Sequence, residues 1–106
     1  MGTVRPKKFL GQHFLKDLGI ACDIADTVDA CPEIPVLEVG PGMGVLTQFL
    51  LQRDDVVTYG AEIDRESVAY LNEHYPAFSP RLIEGDFLQM DLRAMFPDGV
   101  RVVRLA

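Results

Sequence analysis

Three glycines at alternate positions, Gly40, Gly42 and Gly44, stand directly behind a short apolar run, Val36-Leu37-Glu38-Val39, that opens after Pro35. Without side chains, such residues let a ligand approach the backbone closely. Glu62 closes a second apolar run about twenty residues further on, where a carboxylate can accept two hydrogen bonds from ribose hydroxyls. Asp86 follows a third run, in Glu84-Gly85-Asp86-Phe87, and is expected level with Glu62, placed to accept from an adenine amino group. Ile63 and Phe87 could flank the flat base. Gly40, Gly42, Glu62, Ile63, Asp86 and Phe87 together describe a nucleoside site: backbone donors, carboxylate acceptors and apolar faces. The dinucleotide fingerprint would need glycine at position 45, where the chain has Val45. A smaller adenosyl ligand therefore suits this loop better than a nicotinamide dinucleotide.

Such residues work only if strand ends bring them together, and the flanking pattern predicts that. Ile20, Ala21, Ile24, Ala25 and Val28 recur at helical spacing behind Asp17, a good N-cap, and Pro32 stops the run. Val36 to Val39 reads as a buried parallel strand. Leu46, Phe49, Leu50 and Arg53 continue at helical spacing, so the glycines join a strand to a helix. A second strand is expected from Val56 to Glu62. Asp64 then caps a helix whose Val68, Leu71 and Tyr75 face inward and which Pro76 ends. Arg81 to Glu84 makes a third strand, Leu88 to Phe96 a partly helical segment, and Val100, Val102 and Val103 a fourth strand. Alternation of this kind implies right-handed crossovers and an α/β parallel sheet with ligands at the carboxyl ends of its strands.

Bulk properties bound the rest. At 106 residues there is room for one small domain, and 48% hydrophobic with 25% charged residues specifies a packed core rather than a disordered chain. The longest charge-free run, Val39 to Gln52, falls short of the roughly 20 residues needed to cross a bilayer. The basic start lacks a long apolar stretch and a small-residue cleavage site, so no secretory signal is read there and a cytoplasmic location is expected. Cys22 and Cys31 are expected to be buried thiols, and His13 and His74 have no acidic or thiol partner nearby in sequence, so no metal site is expected. The net charge of −6 hides an asymmetry: residues 1–16 carry Arg5, Lys7, Lys8 and Lys16 with no acid, whereas all sixteen carboxylates lie beyond them. Such an arm can hold nucleic-acid phosphates, with Lys7 and Lys8 the candidates, or can simply be a solvated terminus.

The segment Lys7-Lys8-Phe9-Leu10-Gly11-Gln12-His13-Phe14-Leu15 resembles the opening signature of the ribosomal RNA adenine dimethyltransferase family. Val36 to Thr47 is similar to that family's cofactor loop, Ala61-Glu62-Ile63-Asp64 to its ribose motif and Glu84-Gly85-Asp86 to its adenine motif. The resemblance covers essentially the whole chain. It implies the N-terminal part of a class I, Rossmann-like methyltransferase fold, with a cofactor-closing arm over residues 1–16 and a partial cofactor-binding domain over residues 17–106. It implies S-adenosylmethionine as cofactor, with contacts from His13 and Leu15 to its methionine end; many members have Asn at the position of His13. The implied activity is dimethylation of the exocyclic N6 of two neighbouring adenines in small-subunit ribosomal RNA during ribosome assembly. In that family the target base is positioned by an Asn-hydrophobic-Pro-Tyr motif directly after the fourth strand. The chain has Val102-Val103-Arg104-Leu105-Ala106 there, so no catalytic residue is assigned within it and the chain alone is expected to be inactive. The alternatives are a large-subunit adenine dimethyltransferase of the macrolide-resistance type, which the opening signature disfavours, and a non-catalytic ribosome-binding factor.

Overall fold

The computed structural model describes residues 18–105. The expectations for Lys7, Lys8, His13 and Leu15, and for Asp17 as a cap, lie outside them. The first helix, α1, covers residues 18–27, and its buried stripe is Ala21, Ala25 and Val28, with Leu18 and Ile24 partly covered. Ile20 is not part of this stripe and is exposed, because the buried residues lie three and four apart and Ile20 falls off that line. The two cysteines are not buried. Cys22 lies beside the stripe, its Sγ 4.0 Å from Asp26 Oδ2 one turn on, and Cys31, in the following turn, lies 3.5 Å from Glu33 Oε1.

Four parallel strands follow, β1 (Val36–Val39), β2 (Thr58–Glu62), β3 (Leu82–Glu84) and β4 (Arg101–Val103), in the order β3-β2-β1-β4. Between them lie α2 (Thr47–Leu51), α3 (Arg65–His74), a 3-10 helix over Pro76–Arg81, another over Phe87–Gln89, and α4 (Leu92–Met95). Strand β2 begins two residues later than the apolar pattern suggests. Val56 is buried in the core before the strand starts, while Val57 is exposed. Asp64 caps α3 as expected, accepting from the Ser67 amide at 2.9 Å.

The order in which strands are added reverses at β1, with β2 and β3 on one side of it and β4 on the other, so ligands belong in the crevice at the carboxyl ends of β1 and β4. One face of the sheet is closed by Ala21 and Ala25 of α1 and Val28 just beyond it, with Val36, Leu46 and Leu50. Leu37 and Ala61 meet Phe96 on the other face, where Tyr59 and Phe96 form an edge-to-face pair with ring centroids 5.1 Å apart. Gly60 admits the fully buried Phe78 to the sheet surface, since a Cβ there would lie 2.6 Å from Phe78 Cζ.

Arginines supply what short connections lack. At the end of α1, Arg53 donates to the carbonyls of Ala25, at 2.7 Å, and Val28. Arg101, at the start of β4, donates to the carbonyls of Asp29, Cys31 and Ile34 at 2.6, 3.0 and 2.8 Å. Carbonyls at a helix end and in a turn have no ladder to join, and the planar guanidinium reaches several at once.

Candidate functional site

The segment after β1 turns through Gly40, Gly42 and Gly44 at φ values of +67°, +58° and +84°, and no other residue type enters that region of backbone space among the described residues. These conformations tighten the turn that carries the chain from β1 to α2. A Cβ built on Gly40 meets no atom within 4 Å, so the space beside its backbone is open. Gly42 turns its amide the other way along the loop, donating to Glu62 Oε1 at 2.8 Å.

Glu62 is nearly closed off, 6% exposed, and its second oxygen accepts from the Asp64 amide at 3.0 Å. The carboxylate is therefore oriented from two sides before any ligand arrives. An ionised carboxylate has about four acceptor sites, so two backbone donors leave capacity for ribose hydroxyls. Asp86 is not level with Glu62. The register sets Glu62 beside Glu84, and the Gly85 amide extends the ladder to the Glu62 carbonyl at 2.8 Å. Asp86 lies beyond the strand because three residues suffice to pair β3, and it caps the following 3-10 helix by accepting from the Leu88 amide at 3.0 Å. That turn folds Asp86 and Phe87 back over the strand ends.

A cavity of about 250 Å³ results at the carboxyl ends of the strands. Gly40, Glu62, Ile63, Asp86 and Phe87 all line it, as the sequence motifs require, and Gly42 reaches it through its bond to Glu62. The volume lies just under the roughly 300–1,000 Å³ of small-molecule sites and suits a nucleoside better than a dinucleotide. Ile63 is two-thirds exposed, whereas Phe87 is packed against the Leu37–Phe96 cluster, so only part of its ring is available to a ligand.

Two features escape the motifs. Glu38, fully buried in the central strand, accepts from Thr47 Oγ1 and so ties the first residue of α2 to the strand before the glycine loop. Burial pushes the Glu38 carboxyl up to about 7, against the opposing effect of the Thr47 hydroxyl, and the negative charge of Glu62 adds to the rise. The signal in sequence was an acid between Leu37 and Val39 with a hydroxyl nine residues on. Arg104 is the second. It follows β4 directly and lines the same cavity from the opposite end to Asp86.

The family model for ribosomal RNA adenine dimethylase matches residues 4–100. The chain belongs to this family. Among curated relatives, a ribosomal RNA small subunit methyltransferase A of Phocaeicola vulgatus is 64% identical over 96 residues, covering 91% of this chain and 34% of its own length. Its counterpart in Bacteroides thetaiotaomicron is 65% identical over 96 residues, covering 91% and 36%. The chain thus spans about a third of the length of these relatives. Among solved structures, Streptomyces venezuelae DesVI shares the fold with a TM-score of 0.60 at 24% identity, over 86% of this chain and 38% of that one. The 23S rRNA methyltransferase ErmE aligns with a TM-score of 0.54 at 32% identity, over 69% of this chain and 30% of that one. The Rossmann-like α/β expectation is correct.

Proposed function

We propose that this chain is the adenosyl-binding part of a small-subunit ribosomal RNA adenine N6-dimethyltransferase with S-adenosylmethionine as cofactor. The observation that carries the reading is the convergence of Gly40, Glu62, Ile63, Asp86 and Phe87 on one cavity at the strand ends, in a chain of this family. Identity above 60% to relatives named for the small subunit, against 32% to ErmE, favours that subunit.

The groups present fit an adenosyl ligand. Glu62, held by the amides of Gly42 and Asp64, accepts from the ribose hydroxyls; Asp86 accepts from the adenine amino group; Ile63 and the free part of Phe87 flank the base. When bound, S-adenosylmethionine supplies an electrophilic methyl group. The protein's part is orientation, and well-oriented groups can account for about 7 to 11 kcal/mol of a barrier. In this reading residues 1–16 close over the methionine end through His13 and Leu15, Lys7 and Lys8 hold RNA phosphates, and the enzyme acts on the immature small subunit in the cytoplasm.

Calorimetric titration of the chain with S-adenosylmethionine tests the cofactor. Saturable one-to-one binding supports the reading, and no binding at millimolar ligand overturns it. For the RNA, neutralising Lys7 and Lys8 should flatten the dependence of RNA affinity on salt, since each lost phosphate contact lowers the slope.

A further inference from the structure

Gly44 joins the glycine loop to the helix behind it. Its amide donates to the Pro41 carbonyl at 2.8 Å and closes the turn, while its carbonyl accepts from the Gln48 amide at 2.9 Å in the turn that leads into α2. The backbone there is left-handed, at φ +84°. A Cβ on Gly44 would lie 2.7 Å from Tyr75 Cε2, 3.2 Å from Cζ and 3.3 Å from Oη. The edge of the Tyr75 ring therefore stands where a side chain at position 44 would be.

Tyr75 is itself held firmly, at the C-terminal end of α3. Its amide donates to the Leu71 carbonyl at 2.8 Å and its carbonyl accepts from the Phe78 amide at 2.9 Å, and both Leu71 and Phe78 are fully buried. Pro76 disfavours the helical conformation at the residue before it, so the backbone leaves α3 at Tyr75, at φ −131°. Among the described residues the Tyr75 hydroxyl makes no hydrogen bond, so it is the shape of the ring that reaches Gly44. Tyr75 does not line the strand-end cavity. Any effect on a ligand there passes through the loop, in which Gly42 orients Glu62 and Gly40 lies against the cavity.

Resting on the adenosyl reading above, we infer that Tyr75 is a positioning residue of the adenosyl site: its ring edge holds Gly44, and through it the Gly42 amide and Glu62, in place for the ribose. A loop of glycines has many conformations to lose when a ligand orders it. A ring wedged against one of them removes part of that freedom beforehand, which lowers the cost of binding.

The test is calorimetric titration of S-adenosylhomocysteine into the 106-residue chain and its Tyr75→Phe, Tyr75→Leu, Tyr75→Ala and Arg101→Met variants, with hydrogen exchange of the Gly42 amide followed by NMR. Tyr75→Phe keeps the ring edge and should bind as the native chain does. Tyr75→Leu and Tyr75→Ala should lose affinity by about threefold to tenfold and exchange the Gly42 amide faster. Tyr75→Leu keeps apolar volume against α3, so a folded variant is at hand if Tyr75→Ala does not fold. Arg101→Met weakens the fold at the opposite ends of the strands and should leave the affinity unchanged. Native affinity in Tyr75→Leu overturns the inference while leaving the adenosyl site standing. So does a loss in Tyr75→Phe or Arg101→Met as large as that in Tyr75→Leu, because the ring edge would then not be the cause. No binding by the native chain defeats the adenosyl reading itself, and this inference with it.

Discussion

The amide of Gly42 donates to Oε1 of Glu62 across 20 residues of sequence and 2.8 Å of space. This bond joins the glycine loop after β1 to the acid that ends β2. The loop after β1 is held in its left-handed turn by the acid at the end of β2, and that acid is held in position by the loop. Substitution at either residue therefore changes both the shape of the loop and the supply of acceptors.

Glu62→Ala is expected to weaken S-adenosylmethionine binding by about 1.5 to 3 kcal/mol, the range for hydrogen bonds to a charged group. It should also release the Gly42 amide to faster hydrogen exchange. Calorimetry checks the first and exchange followed by NMR the second. Unchanged affinity would remove the ribose role, and unchanged exchange would remove the orienting one.

Glu38 predicts a dependence of stability on pH. Its carboxyl is raised from 4.5 to about 7 in the folded chain, mainly by burial. The folded state thus binds the proton more tightly than the unfolded one. Below about pH 4.5 both states are protonated and no penalty applies; stability then falls as pH rises, and the loss is complete once pH passes about 7. A shift of this size corresponds to about 3 kcal/mol. Glu38→Gln cannot ionise, so the difference in unfolding free energy between variant and native chain should grow in favour of Gln between pH 5 and 7.5, measured by urea denaturation. A difference constant across that range would show that Glu38 titrates normally.

Gly60→Ala should destabilise the fold by about 1 to 3 kcal/mol, the usual cost of overpacking. The added methyl would lie 2.6 Å from Phe78 Cζ, and Phe78 has no solvent-facing side into which to move. Phe78→Leu in the same chain should recover part of the loss, and a double-mutant cycle in thermal denaturation reads that coupling. Simple additivity would mean the two residues do not meet.

Removing the Arg101 guanidinium by Arg101→Met keeps most of the apolar stem but takes the guanidinium donor from the carbonyls of Asp29, Cys31 and Ile34, of which Cys31 keeps the Ile34 amide. About 2 kcal/mol of stability should be lost, somewhat less than a fully buried network because water can reach part of this turn. The segment between α1 and β1 should also become more sensitive to proteolysis. Resistance and stability both equal to the native chain would assign those bonds no net value.

Much of the site was legible in the residues because its chemistry is local to strand ends. Gly40, Gly42 and Gly44 announce a backbone that turns left-handed, and an acid closing the next apolar run announces Glu62; periodicities of two and 3.6 then place each on a strand end or a turn. The same reasoning erred where exposure depends on neighbours remote in sequence. Ile20 was grouped with the apolar residues of α1 by helical spacing, and both cysteines were assigned to the interior by residue type. Which side of α1 is covered, and whether the turn holding Cys31 is, depends on where the sheet lies. Register is another such quantity. Asp86 was expected level with Glu62, and only the pairing of Glu62 with Glu84 shows that it sits past the strand and reaches the cavity through a capped turn. The role of Arg101 came from tertiary structure alone, and that of Glu38 left only an acid inside an apolar run as its trace in the sequence. A buried carboxyl tied to the next helix and a guanidinium that gathers carbonyls from a distant turn are relations between segments, and no periodicity along one segment carries them.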